Sequence, residues 1–277
     1  MLKKNFKKLK HTARVYVDRS KDLKKRKLKK LSRIFNKANG SQGYYFAILT
    51  VKKKIYIELA INNINSLHFI NPSHRFIIYC DDVCFAEFYK KRKRLDYPGQ
   101  VKAVNSYRNG GMPWQYYKIE TLIEASKNGL ILTDADGIWH HDPQISKDKM
   151  TLLVIAHQFK HNENEKKLIT QYFKKDEWSD FYHYVTGFVS IPPKFMNDKL
   201  AEDLRKLNKM ILECPFDFIS EQDKKEDMRR LSEELAVSFA IQINYPNDIF
   251  TLKTEDGPKN KNILQSMYYG CANRIIN

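Results

Sequence analysis

The chain has 277 residues, of which 42% are hydrophobic and 13% aromatic, enough for one large α/β domain or two small ones. Ten glycines and nine prolines are too few for low-complexity disorder over most of the length. No apolar run reaches the ~18–20 residues that a membrane-spanning helix needs. The amino terminus also lacks the apolar segment and cleavage site of a signal peptide, so we expect a cytoplasmic protein.

The formal net charge of +17 is concentrated at one end of the chain. Residues 1–41 contain 16 Lys and Arg against two Asp, a net charge of +14, which leaves only +3 for residues 42–277. A nearly neutral body does not present the basic surface of a nucleic-acid-binding domain. We therefore do not expect a nucleic-acid partner for the body of the protein.

The charge distribution predicts a basic N-terminal extension over residues 1–41 and a folded domain over residues 42–277. In the extension, apolar residues recur at helical spacing among the lysines, so a helix there would be amphipathic. Three alternatives remain open for it: attachment of residues 1–37 to an anionic membrane surface, a solvated tail, and contact with nucleic acid. For the first, each lysine near the surface contributes on the order of 1 kcal/mol. The protein would then be peripheral on the inner face of a membrane.

From residue 44 onward, hydrophobic runs alternate with segments of helical periodicity. The pattern predicts strands over 45–51, 75–80, 101–104, 129–133, 152–157 and 184–191, and helices over 55–69, 83–94, 114–125, 198–212 and 232–241. Strands that alternate with helices in this order form a mainly parallel sheet sandwiched by helices. The predicted fold class is therefore α/β.

Two carboxylates one residue apart, Asp134 and Asp136, directly follow the apolar run 130–132. They form a hard-oxygen site that suits Mn²⁺ or Mg²⁺. The chain holds 18 Asp, so about one Asp-x-Asp is expected by chance. The position favours a function, because ligands bind at the carboxyl ends of strands in open α/β sheets. The alternative is an Asp-Gly turn with no metal.

The segment 132–143, Leu-Thr-Asp-Ala-Asp-Gly-Ile-Trp-His-His-Asp-Pro, resembles a characteristic segment of nucleotide-sugar glycosyltransferases with the GT-A fold. That family commonly has a hydrophobic strand, Asp-x-Asp, a hydrophobic pair and then Asp-Pro. The outline of the resemblance covers residues 44–245. It includes a strand of the type Thr/Ser-Gly-Phe at 184–191 and an acidic helix start at 233–236. The resemblance implies a GT-A (Rossmann-like) fold of the DxD type.

The same resemblance implies a metal-dependent glycosyltransferase, a hexosyltransferase that uses a UDP-sugar. Its acceptor would be a glycan or a lipid-linked sugar in the synthesis of cell-surface polysaccharide or lipopolysaccharide. Asp136 would bind the metal directly, and Asp134 would bind the ribose or reach the metal through water.

The resemblance also implies contacts between the protein and the donor. Thr50 and either Asp81 or Asp82 would lie near the nucleoside. Lys118 would reach the diphosphate or the donor sugar, although a solvated helix lysine is the alternative.

For transfer with inversion the reaction needs a general base within hydrogen-bond reach of the acceptor hydroxyl. Glu234 is the candidate, with Glu233 as its neighbour. Transfer with retention would not need this base. The alternative is purely structural: Ser232 would cap the helix, and the two acids would interact with the helix dipole.

Histidines offer weaker candidates. Of His140 and His141, at most one side chain could reach the metal, because neighbours on an extended segment point in opposite directions. His157 and His183 are interpreted as core or loop residues. Residues 246–277 contain no histidine that could close the metal site.

Two other classes of protein use similar residues. A nucleic-acid-associated protein or metal-dependent nuclease would use the same Asp pair, but it needs a basic body. A sugar nucleotidyltransferase would carry a glycine-rich loop after the first strand, where this chain has Val-Lys-Lys-Lys at 51–54. The sequence also lacks the glycine motifs of P-loop and dinucleotide-binding enzymes.

Overall fold

The computed structural model describes residues 43–108, 111–139, 142–155, 167, 170, 182–214 and 222–254. The predicted extension over residues 1–41, with its membrane attachment, lies outside the described residues. His140, His141 and His157 also lie outside them.

In the first half of the chain, the predicted elements are observed with small shifts at their ends. They are β1 (Tyr45–Thr50), α1 (Ile55–Ile70), β2 (Arg75–Cys80), α2 (Asp82–Lys91), β3 (Val101–Asn105), α3 (Trp114–Lys127) and β4 (Ile131–Thr133). The helix predicted to run to Arg94 changes at Arg92 to a short 3₁₀ turn, and a second 3₁₀ turn precedes β3.

The second half contains two elements that the sequence pattern did not predict. Its elements are β5 (Met150–Ile155), β6 (Val185–Ser190), α4 (Asp198–Glu213), α5 (Gln222–Arg230), α6 (Ser232–Asn244) and β7 (Ile249–Thr254). The unpredicted elements are α5 and β7. Helix α5 has one apolar residue, Met228, among its nine residues, so it shows no amphipathic stripe.

The seven described strands form one sheet in the order β3-β2-β1-β4-β6-β5-β7. Strand β6 runs antiparallel to both of its neighbours, while the other described pairs are parallel. Helices flank the sheet, and both faces of β4 and β6 are buried. Burial on both faces is expected of such sheets and explains the apolar strands of the sequence. The predicted α/β fold with a mainly parallel sheet is confirmed.

The strand order of the sheet reverses beside β1. From β1 the chain proceeds through β2 to β3 on one side, and it then returns to form β4 on the other side of β1. The carboxyl ends of β1 and β4 are therefore neighbours, with α1 following β1 and the Asp-Ala-Asp segment following β4. Such a switch point is the usual ligand site of an open α/β sheet.

None of the helices in the described part of the chain has both the length and the apolar character needed to cross a membrane.

Candidate active site

The backbone of Asp134 is fixed at the carboxyl end of β4 by two neighbouring elements. Its N–H donates to the carbonyl of Gly187 in β6, at 3.0 Å. Its carbonyl accepts a hydrogen bond from Nδ2 of Asn63, a fully buried residue of α1. These bonds hold the start of the Asp-Ala-Asp segment at the switch point of the sheet.

Lys118 of α3 forms the closest ion pair with this segment. Its Nζ lies 2.6 Å from Oδ1 of Asp134 and 3.8 Å from Oε1 of Glu233. Burial opposes the charge of Lys118, whose side chain is 8% exposed. The carboxylates of Asp134 and Glu233 outweigh that penalty and raise the pKa of Lys118 above its ordinary value. These carboxylates therefore favour the charged form of Lys118 and hold it in position.

Glu233 completes a cluster of three ionisable side chains with Lys118 and Asp134, hereafter the charged cluster. It is 2% exposed, and its Oε1 accepts a hydrogen bond of 3.4 Å from the Thr186 hydroxyl. Its Oε2 is buried and has no hydrogen-bond partner in the described part of the chain. Burial raises the pKa of Glu233, and the nearby carboxylates of Glu234 and Asp134 act in the same direction, against the effect of Lys118.

Asp136 lies two residues further on and is half-buried. Tyr56 of α1 lies close enough to feel both aspartates. Its burial, and then the carboxylates of Asp136 and Asp134, raise the pKa of its phenol. The two aspartates therefore contribute negative charge to one small region at the end of β4.

The donor set of this region fits a divalent cation that shares its ligands with a substrate. Asp134 and Asp136 supply carboxylate oxygens, the ligand type that Mn²⁺ and Mg²⁺ prefer. No cluster of three or more His, Cys, Asp or Glu side chains suited to a metal occurs within the described ranges. Magnesium in proteins is often held by one or two carboxylates together with substrate phosphates and water. The Asp pair is suited to that arrangement.

Glu234, the predicted general base, pairs with a histidine. Its Oε2 lies 3.0 Å from Nε2 of His183, and the two side chains are 14% and 12% exposed. The sequence analysis interpreted His183 as a core or loop residue and missed this contact. The two residues are 51 positions apart, and no local pattern links them.

The alternative in which Ser232 caps α6 is wrong. Leu231, not Ser232, occupies the N-cap position, and no side chain caps the helix. The Ser232 hydroxyl instead donates to Oδ1 of Asn208 in α4, at 2.9 Å. Ser232 therefore joins two helices and leaves the role of the following acids open.

The predicted nucleoside contacts lie at the carboxyl ends of β1 and β2. Thr50 is fully buried, with its hydroxyl 3.2 Å from the Cys80 sulfur. Asp81 caps α2: one carboxylate oxygen accepts from the Cys84 N–H at 2.8 Å and the other from the Lys52 N–H at 2.5 Å. Asp82 is exposed and accepts a hydrogen bond of 2.6 Å from the Asn105 amide.

The bond from Lys52 to Asp81 stabilises an unusual turn after β1. Lys52 has a φ of 68°, in the left-handed region that residues other than glycine seldom adopt. Because Asp81 holds the amide of this residue, the cap of α2 also fixes the turn between β1 and α1. Asp81 is thus engaged with backbone groups, whereas the carboxylate of Asp82 is exposed and contacts the Asn105 side chain.

The Asp-Pro end of the segment 132–143 lies away from the Asp pair. Asp142 accepts from Nε2 of His74 at 3.1 Å and from Nδ2 of Asn71 at 3.3 Å, next to the amino end of β2. Nδ1 of His74 accepts the Tyr44 N–H, so the proton of this buried ring is on Nε2. Asp142 therefore anchors the returning chain beside the amino end of β2, whereas the Asp pair lies at the carboxyl ends of the strands.

Comparison with known proteins gives structural matches only. No protein-family model matches the chain, and no curated protein sequence matches it. The galactosyltransferase LgtC, solved with donor and acceptor sugar analogues, is 11% identical, with 75% of this chain and 73% of LgtC covered and a TM-score of 0.47. The apo-form glycosyltransferase GlyE of Streptococcus pneumoniae TIGR4 is also 11% identical, with coverage of 76% and 45% and a TM-score of 0.43. The PaToxG glycosyltransferase is 10% identical, with 79% of each chain covered and a TM-score of 0.40.

The structure thus brings several separately predicted residues together. Lys118, Asp134 and Glu233 are in one cluster, Glu234 acts electrostatically on Lys118, and Asp136 follows Asp134 in the same segment. The predicted residues Thr50, Asp81 and Asp82 lie at the ends of neighbouring strands and outside that cluster.

Proposed function

We propose that this chain is a metal-dependent glycosyltransferase that moves a sugar from a nucleotide-diphosphate donor, a UDP-sugar, to a glycan or lipid-linked acceptor. The observation that carries the proposal is the ion pair of Lys118 with Asp134, next to Asp136 at the switch point of the sheet. A fixed cation and two hard carboxylates at that position suit a metal-bound diphosphate. The resemblance of residues 132–143 to the GT-A segment supports the same chemistry.

Departure of the nucleoside diphosphate leaves negative charge on its phosphate oxygens. Mn²⁺ or Mg²⁺ held by Asp136 and Asp134 would supply Lewis-acid stabilisation of that charge. The chain adds its own cation, because Lys118 remains protonated among its carboxylate neighbours. An ammonium group already held in position stabilises developing charge without reorganising during the reaction.

Glu234 is suited to act on the acceptor side. It lies at the start of α6, adjacent to Glu233 of the charged cluster, and it is reached by solvent. In a transfer with inversion, its carboxylate would accept the proton of the attacking hydroxyl. Glu233, which is buried and faces Lys118, is suited instead to hold that lysine.

The basic segment over residues 1–37 supports a place at the cytoplasmic face of a membrane, where lipid-linked acceptors for cell-surface polysaccharide are found. Its lysines would bind anionic lipid headgroups. Binding of the full chain to vesicles with and without anionic lipid, compared with a chain lacking residues 1–37, tests this part of the proposal.

A hydrolysis screen tests the proposed activity. The purified chain is incubated with UDP-, GDP- and CMP-sugars, with Mn²⁺ and with a chelator, and release of the nucleotide is measured. We expect release from one UDP-sugar with Mn²⁺, none with the chelator, and none from Asp136→Ala. The matched control is Glu202→Ala, an exposed acid of α4 that should retain full activity. Metal-stimulated release by Asp136→Ala would overturn the assignment.

A further inference from the structure

Three polar side chains on one face of α6 hold the segment Tyr182–Tyr184, which precedes β6. Glu234, Ser238 and Gln242 are spaced four residues apart, so they lie in one row along the helix. Each contacts a different residue of the segment. This row, hereafter the α6 ladder, supplies the segment with hydrogen bonds of the kind that a neighbouring strand would otherwise make to its backbone.

Gln242 makes the most complete contact of the α6 ladder. Its Oε1 accepts the N–H of Tyr182 at 2.7 Å, and its Nε2 donates to the carbonyl of the same residue at 2.7 Å. The second Nε2 proton is donated to the carbonyl of Ser238, also at 2.7 Å. Gln242 is 7% exposed, and because both Nε2 protons and Oε1 are hydrogen-bonded, a flipped amide would lose all three bonds.

Ser238 fixes the other side of the segment. Its fully buried hydroxyl accepts the N–H of Tyr184 at 2.7 Å and donates to the carbonyl of Glu234 at 2.7 Å. A single hydroxyl thus links the backbone of Tyr184 to the backbone of Glu234.

His183 is therefore held between two anchored neighbours. With the backbone of Tyr182 and Tyr184 fixed on α6, the ring of His183 is held beside Glu234, with Nε2 and Oε2 3.0 Å apart. Restricting a side chain before the reaction removes the entropic cost of placing it during the reaction.

The direction of β6 determines where this pair lies. Because β6 is antiparallel to β4, with Phe188 opposite Thr133, the residues before β6 continue past the carboxyl end of β4. His183 is thus beyond Asp134 at the same edge of the sheet, near the charged cluster.

We propose that Gln242 and Ser238 are positioning residues that hold the His183–Glu234 pair as the acceptor of the proton from the attacking hydroxyl. This inference rests on the proposed function. His183 would hold Oε2 of Glu234, and Oε1 would take the hydroxyl proton. The acceptor oxygen then bonds to the anomeric carbon as the bond from that carbon to the phosphate oxygen breaks, and the nucleoside diphosphate leaves with that electron pair.

Hydrolysis of the nucleotide sugar that the wild type cleaves fastest provides the test, because water then replaces the acceptor. We expect Gln242→Ala to lower kcat about 10-fold and Glu234→Gln about 100-fold, with the donor KM within about two-fold of wild type. The double variant should be no slower than Glu234→Gln alone, because Gln242 acts through Glu234. The control is Gln222→Ala, an exposed glutamine of α5.

A general loss of structure would give a different pattern. It would raise KM as well, and its effect would multiply with that of Glu234→Gln in the double variant. If Gln242→Ala does not fold, Gln242→Glu keeps the acceptor for the Tyr182 N–H and removes the donor to its carbonyl. An unchanged kcat in the Gln242 variants, or multiplicative losses, would overturn the inference while leaving the proposed function intact. A wild type that hydrolyses no donor would overturn both.

Discussion

Nζ of Lys118 lies 2.6 Å from Oδ1 of Asp134. Lys118 belongs to the second turn of α3, and Asp134 directly follows β4. This contact joins the helix that precedes β4 to the site that follows it. It also places a buried cation beside Asp134 and Asp136, the two carboxylates proposed to bind the metal. The charge on Lys118 is consequently important for both stability and function.

Removing that charge should destabilise the protein. Lys118→Met would leave Asp134 and the buried Glu233 without their cation, and we expect a loss of about 2–4 kcal/mol in the free energy of unfolding. Adding Glu233→Gln should restore part of the loss, because it removes the more buried carboxylate. Urea unfolding of the two single variants and the double variant measures this coupling. Independent, additive effects would contradict the cluster.

The stability of the protein relative to Glu233→Gln should depend on pH. The raised pKa of Glu233 means that the folded state binds its proton more tightly than the unfolded state does. The favourable contribution is complete below the ordinary pKa of glutamate, and it is lost as pH rises towards the raised value.

Glu233→Gln cannot titrate, so the wild type should lose stability relative to this variant as pH rises from 5 to 8. The difference should change by at most about 1.4 kcal/mol per pH unit. Urea unfolding at several pH values measures it. A constant difference in the free energy of unfolding, or a change of opposite sign, would show that burial does not raise the pKa of Glu233.

The neighbouring acids Asp81 and Asp82 should respond differently to the same substitution. Asp81→Ala removes the cap of α2 and the partner of the Lys52 amide, so we expect a loss of about 1–2 kcal/mol. Asp82→Ala changes an exposed side chain and should stay within about 0.5 kcal/mol of wild type. If Asp82 contacts the nucleoside, its loss should instead weaken UDP binding. Thermal unfolding and UDP titration of this matched pair separate the two roles.

Asp142 should prove structural. Asp142→Ala leaves the buried Nε2–H of His74 without its acceptor, at a cost of about 1–3 kcal/mol. The kcat of donor hydrolysis should be unchanged, because Asp142 lies at the amino end of β2 and the Asp pair lies at the carboxyl ends of the strands. Asp148→Ala, which changes an exposed acid six residues further along the chain, is the control for both measurements. A large fall in kcat with unchanged stability would contradict this placement.

Local sequence patterns predicted most of the sheet, since a buried strand and an amphipathic helix each leave a signal within ten or fifteen residues. Strand β2 was predicted with its observed ends, Arg75 and Cys80. Helix α5 left no such signal because its residues are nearly all polar.

The site was predictable only in part. Asp134 and Asp136 could be proposed from their position after a strand. Their partners were not evident, because the contacts of Lys118 with Glu233 and of His183 with Glu234 join residues 115 and 51 positions apart. Such pairs are set by the packing of α3, β6 and α6 against one another. The three-residue cluster could be identified only once that packing was known.

Calorimetric titration of UDP into the wild type and Asp136→Ala, with Mn²⁺ and with a chelator, tests the central claim most directly. Binding should be detected with Mn²⁺ and be at least about ten-fold weaker with the chelator, because Asp136 and Asp134 would hold the metal that contacts the diphosphate. Asp136→Ala should remain folded and bind UDP equally weakly in both conditions. Binding of UDP by Asp136→Ala that Mn²⁺ strengthens as much as in the wild type would contradict the account.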